Sequence, residues 1–256
     1  MQRTGGTGLG GFFQRLFEQS PRIEHEPFNQ GRIWGFVAEA VRRGDLAELR
    51  QLSGLLAAKP VVKHCFELHA LILNLELLRA ATRLGYKHIF HFRQDEAARI
   101  QSLFFALQVG VWHEGDANRL TDAMVRRRLA DVAVGRVDNL IEHSARSLTA
   151  AKSILRRLDQ QGITYFVSRY EGLYETEPLG LKNRQLGDLL AFLAEPVDEQ
   201  RLRRTAFARA AEAQVEAGTR RFYSASPVFG ELRRRVTERL AIASGIHAPA
   251  ASHGLG

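Results

Sequence analysis

Residues 118–161 read NRLTDAMVRRRLADVAVGRVDNLIEHSARSLTAAKSILRRLDQQ. Ala130, Val134, Val137, Ile141, Ser144, Leu148, Ala151, Leu155 and Leu158 recur at alternating steps of three and four, which lays a small-to-apolar seam along one side of a helix. The far side carries Arg136, Asp138, Arg146, Lys152, Arg156 and Asp159, so the stretch is amphipathic. Asp122 with Arg126, Arg127 with Asp131 and Glu142 with Arg146 are opposite charges four apart, each expected to add a few tenths of a kcal/mol. Asn118 is the expected cap and Gly162 the expected C′ residue.

As one straight helix these 44 residues would span roughly 66 Å. A compact domain of 256 residues is only about 45–50 Å across. The helix therefore protrudes or breaks. Gly135 is the expected break, because glycine inside a helix costs about 1 kcal/mol against alanine. The reading is a bent helix serving as the spine of an all-α bundle of about eight or nine helices.

Helical signals continue on both sides of the spine. Upstream, Ile33 to Arg43 ends at Gly44, Asp45 can cap a leucine-rich helix that Pro60 stops, and Val61 to Leu84 reads as one long apolar helix closed by Gly85. Tyr86 to Phe92 alternates weakly and suits a short extended piece or a turn, and Asp95 to His113 is again helical. Downstream, a short helix over Phe166 to Tyr174 precedes Asn183 to Ala194 and Asp198 to Ala217. Ser226 and Pro227 form a good N-cap and N1 pair for the last helix, which runs to Ser244. No strand pair is expected. Residues 1–30 read as a flexible, glycine-rich lead with a short Phe12–Phe17 amphipathic helix, 31–244 as a single all-α domain, and 245–256 as a disordered tail. Within the domain, 31–115 holds the N-terminal helices, 118–161 the spine and 163–244 the basic C-terminal helices.

Composition excludes several classes. A chain that is 45% hydrophobic and 25% charged is globular. Cys65 is the sole cysteine, so no internal disulfide forms. The first residues lack the apolar run of a signal peptide, and the most apolar stretch, Phe66 to Leu78, is too short for a membrane span and contains Glu67, His69, Asn74 and Glu76. The expectation is a cytoplasmic protein without membrane attachment.

The net charge of +8 points to an anionic partner, and it concentrates in residues 201–239, with 10 basic and 4 acidic side chains. Arg203, Arg204, Arg220, Arg221, Arg233 and Arg234 are the candidate phosphate contacts. Phe222 and Tyr223, between two basic helices, are the candidate stacking rings for exposed DNA or RNA bases. A candidate metal set is Cys65, His69, His88 and His91, since zinc favours thiolate and imidazole. Glu-x-x-His pairs, a phosphate-binding glycine loop and a Gly-x-Ser-x-Gly elbow are all missing from the sequence. Nothing in it calls for a cofactor. The expected function is non-enzymatic association with nucleic acid through the arginine-rich C-terminal region. The alternative is a helical interaction or scaffold subunit, docking a protein partner or a second copy through the spine seam and the Phe12–Phe17 patch.

Overall fold

The computed structural model describes residues 6–111, 120–130, 135–174, 184–195 and 228–243. These are mostly helical, as expected, with one small sheet. In chain order they form α1 (Gly6–Leu16), α2 (Gly35–Arg42), α3 (Leu52–Leu56), α4 (Leu71–Arg83), β1 (His88–Phe92) and α5 (Glu96–Val109). After these come α6 (Asp122–Leu129), α7 (Gly135–Gln160), β2 (Tyr165–Arg169), α8 (Tyr170–Tyr174), α9 (Arg184–Leu193) and α10 (Val228–Ala243). Single 3-10 turns cover Ala47–Gln51 and Phe66–Leu68.

Local chemistry sets several of the boundaries. Asp95 caps α5 by accepting from the Ala98 N–H at 2.8 Å, and Gly110 closes it at φ +76°. Gly162 closes α7 at φ +64°, as the sequence implied. The described residues of the spine fall in two helices, and 131–134 between them lie outside the described residues. Helix α6 stops at Leu129, and α7 starts at Gly135, the glycine expected to break it. Thr121, accepting from the Met124 N–H at 3.3 Å, caps α6, while Asn118 lies outside the described residues. Among the described residues the ion pairs expected for Asp122 with Arg126 and Glu142 with Arg146 do not form, and Asp131, the expected partner of Arg127, lies outside them.

Two further expectations need correction. Val61 to Leu84 is not one helix: residues 61–65 are irregular, and only Leu71–Arg83 is α-helical. Its polar side chains explain this, because His64 and Asn74 bond each other at 2.6 Å and the Asn74 amide donates to the Phe66 carbonyl at 2.9 Å. Those bonds hold a compact turn that a continuous helix would disrupt. The second correction is the sheet. Strands β1 and β2 pair in parallel, from His88 opposite Tyr165 to Phe92 opposite Arg169. The β-branched and aromatic content of HIFHF and YFVSR suits strands, but their pairing is non-local and leaves no periodic trace.

The chain divides into two compact units, Met1–Phe92 with Ser147–Gln214, and Arg93–Arg146 with Val215–Gly256. In the first, α1 buries Leu9, Phe12, Phe13 and Leu16 against Tyr170, Leu173, Leu186 and Leu189. Each such side chain contributes about 1.5–3 kcal/mol by leaving water, which outweighs the helix cost of the neighbouring glycines. The glycine-rich lead is therefore helical from Gly6, and its phenylalanines belong to the core. A second cluster joins α2, α3 and α4 through Phe28, Trp34, Val37, Leu52, Leu56 and Leu77. A third seats Ala151, Ile154, Leu155 and Leu158 of α7 on Phe66, with Phe90 and Tyr165 of the sheet.

The second unit has one apolar core, built from Ile100, Phe104, Phe105 and Val109 of α5, Val125 and Leu129 of α6, Val137 and Ile141 of α7, and Phe229, Leu232 and Val236 of α10. Val137, Ile141, Ala151, Leu155 and Leu158 of the expected seam are thus buried, whereas Ala130 is exposed.

Candidate functional site

A dense polar cluster in the first unit centres on Glu26, which sits in the left-handed region at φ +53°. One oxygen, Oε1, accepts from Lys63 Nζ at 2.6 Å and from Cys65 Sγ at 3.0 Å. The other, Oε2, accepts from Asn29 Nδ2 at 2.7 Å. Lys63 also donates to Thr7 Oγ1 at 2.9 Å, so one ammonium ties the residue 61–65 segment to both the Glu26 loop and α1. Burial draws the Glu26 pKa upward, but the Lys63 charge and the bonds from Lys63, Cys65 and Asn29 outweigh it and hold the carboxyl at about 2. Burial pushes the Cys65 thiol up to about 12. A permanent carboxylate and a permanent thiol are poor proton-transfer partners at neutral pH. The cluster is built to hold three segments together.

Beside it, His64 and His69 stack with ring centroids 4.7 Å apart and planes 16° from parallel, and Phe28 meets His64 edge-on at 5.5 Å. Burial lowers the His64 pKa to about 4, and the neighbouring His69 adds to this. His69 is lowered as well, by burial first, with Glu26 opposing and Arg42 assisting.

The residues singled out for metal binding take separate partners. Cys65 bonds Glu26, His69 Nε2 meets Asn29 Oδ1 at 3.2 Å, His88 Nε2 meets Thr82 Oγ1 at 2.8 Å, and His91 Nδ1 meets Ser168 Oγ at 3.0 Å. Cys65 and His69 flank a 3-10 turn instead of sharing a helix face. Among the described residues, no group of three or more His, Cys, Asp and Glu side chains is arranged to hold a metal ion. Sequence reading passed over Glu26, Asn29, Lys63 and His64, because nothing in their spacing shows that two irregular segments meet.

Of the candidate nucleic-acid contacts, Arg203, Arg204, Arg220, Arg221, Phe222 and Tyr223 lie outside the described residues. Arg233 and Arg234 stand exposed on α10 with carboxylates beside them. Arg234 bridges Glu231 at 2.7 Å and Glu238 at 2.6 Å, and Arg233 approaches Asp95 at 3.8 Å. Arg235 pairs with Glu231 at 2.8 Å and Arg239 with Asp138 at 3.4 Å. The bonds from Arg234 and Arg235 hold the Glu231 carboxyl at about 2. This helix face therefore offers little uncompensated positive charge.

Helix α6 in the same unit is different. Arg126 and Arg127 are exposed and have no carboxylate partner among the described residues. Arg128, between them and the core residue Leu129, donates to the Val109 carbonyl and fixes the helix to the end of α5. Among the described residues, no helix is long and apolar enough to cross a membrane. No protein family, curated protein or solved structure matches the chain.

Proposed function

We propose that the chain is a non-enzymatic, basic helical protein of the cytoplasm that associates with nucleic acid through arginines of its second unit, in a bundle organised around α7. The observation that supports this reading best is the exposed pair Arg126 and Arg127 on α6, which meet no carboxylate among the described residues. Guanidinium groups not committed to carboxylates can take phosphate oxygens in a bidentate fork without first breaking an ion pair. Arg203, Arg204, Arg220, Arg221, Phe222 and Tyr223 belong to the reading on sequence grounds. Arg233 and Arg234 join it less strongly, since binding phosphate there competes with Asp95, Glu231 and Glu238.

The test is a pair of double variants. Arg126→Gln with Arg127→Gln should weaken binding to every nucleic acid tried and lower the salt slope by about two, roughly one per cation removed. Arg220→Ala with Arg221→Ala should act alike. If both variants bind as the parent does, neither arginine pair contacts the ligand, and the reading loses its site.

A second reading, a helical interaction subunit, draws support from other residues. Much of its two expected surfaces is buried, but Ile33, Phe36, Leu68, Leu71 and Ile72 of the first unit are exposed. It predicts concentration-dependent self-association, or a partner-dependent rise in melting temperature, that nucleic acid does not alter. Sedimentation velocity across a hundredfold concentration range addresses the first; a single monomeric species throughout would count against it.

A further inference from the structure

The hydrogen bonds around the His64–His69 stack fix both tautomers. Asn74 donates its Nδ2 to the Phe66 carbonyl, so its Oδ1 faces His64 and can only accept; His64 Nε2, 2.6 Å away, must carry the proton. The same logic applies to Asn29, whose Nδ2 goes to Glu26, leaving Oδ1 to accept from His69 Nε2. His64 Nδ1 is then a bare lone pair. It is buried and has no hydrogen-bond partner.

We propose that the stacked His64–His69 pair is an acid-sensitive latch, which holds the residue 61–70 segment against Phe28 and α4 when neutral and releases it when protonated. A proton added to His64 can only go to Nδ1, where it creates a buried N–H without an acceptor and a charge stacked on a second imidazole. Release relieves both at once. It also uncovers Phe28, which His64 covers edge-on and which has no exposed surface in the closed arrangement.

The surrounding charges do not cancel this response. The Asn74 hydrogen bond favours a charged His64, and Glu26 favours charge on both imidazoles, but the Glu26 oxygens already hold Lys63, Cys65 and Asn29 and burial outweighs both. Arg42 opposes charge on His69, and Cys65 stays neutral. From α4 the facing group is the neutral Asn74. His25, beside Gly10 and the Lys63 stem, is a further titratable side chain nearby.

The experiment uses the full chain with ¹⁵N-labelled histidine, together with hydrogen exchange of amides 61–74 at pH 7.5 and pH 5.0, corrected for the intrinsic rate. His64 should show the Nε2–H tautomer at neutral pH and titrate near 4, not near 6.5. Protonation of His64 alone allows opening of 61–74 to rise by up to about thirtyfold between the two pH values, with little change in α5. His64→Gln should flatten that difference. The proposal is overturned if His64 titrates near 6.5 in the folded chain, or if 61–74 and α5 respond equally to pH. Should His64→Gln fail to fold, the titration and exchange of the parent chain decide alone.

Discussion

Arg99 and Glu96 stand one turn apart on α5 and close a two-bond fork inside the second unit. Arg99 Nε donates to Glu96 Oε2 at 2.8 Å, and its Nη2 to Oε1 at 2.7 Å. Arg99 has no exposed surface, and its Nη2 also donates to Ser144 Oγ of α7 at 2.6 Å, while the Ser144 hydroxyl donates back to Glu96. This triad joins α5 to α7 beside the apolar core. It fixes which turn of α7 faces α5, because Ser144 is the polar position of the buried seam.

Breaking the triad should be costly. Arg99→Ala or Glu96→Ala leaves an uncompensated buried charge, worth about 3–5 kcal/mol. Replacing both, as Arg99→Met with Glu96→Leu, should recover much of that loss. Urea unfolding of the three variants reads the difference directly. Single variants no less stable than the double would mean the charges are not paired in the folded chain.

Acid should weaken the Glu26 hub in a defined window. A carboxyl held at about 2 in the folded chain, against 4.5 ordinarily, gives stability that is fully present above pH 4.5 and lost as pH falls towards 2. The side chain is 20% exposed, so screening reduces the contribution to about 1–2 kcal/mol. Glu26→Gln should lower stability at pH 7 and remove the dependence below pH 4.5. A variant as stable as the parent at pH 7 contradicts the hub.

The outer side of β2 makes a third test. Gln185 of α9 donates Nε2 to the Arg169 carbonyl at 2.7 Å and accepts from the Arg169 N–H at 3.1 Å, the two bonds a neighbouring strand would make. A Cβ on Gly172 would come within 2.8 Å of that amide. Gly172→Ala should therefore displace Gln185 and cost about 1–3 kcal/mol, similar to Gln185→Ala. Additive losses in the double variant would show that the two act separately.

Cys65 should be inert. It is 2% exposed, and its thiol is pushed up to about 12 by burial. A disulfide reagent at pH 7.5 should modify it only as fast as the chain opens, and immediately in 6 M guanidinium, a customary denaturing concentration of about that value. Rapid modification of the folded chain would remove Cys65 from the core.

What the sequence made legible follows from the range of each interaction. Period and caps are local, so the helical class and the closures at Gly44, Gly85 and Gly162 were readable, while the helix expected to reach His113 stops at Gly110. Long-range pairings were not readable. The parallel β1–β2 ladder joins residues 77 apart at His91 and Ser168, and Glu26 meets Lys63 across 37 positions. The apolar face of Phe12 and Phe13 was legible, but not what it covers, because only the folded chain shows Leu173 and Leu189 opposite them. At the candidate site, counting arginines identified a basic helix but could not reveal that Glu231, Glu238 and Asp138 neutralise it. That Arg126 and Arg127 meet no carboxylate among the described residues is likewise visible only in the fold.

The central claim is nucleic-acid association, and fluorescence-anisotropy titration with short single- and double-stranded DNA and RNA tests it most directly. Repeated at low and moderate salt, it should give binding whose log–log salt slope is several units, as several released counterions require. No binding to any of the four at low salt would contradict the claim and assign the +8 charge to composition alone.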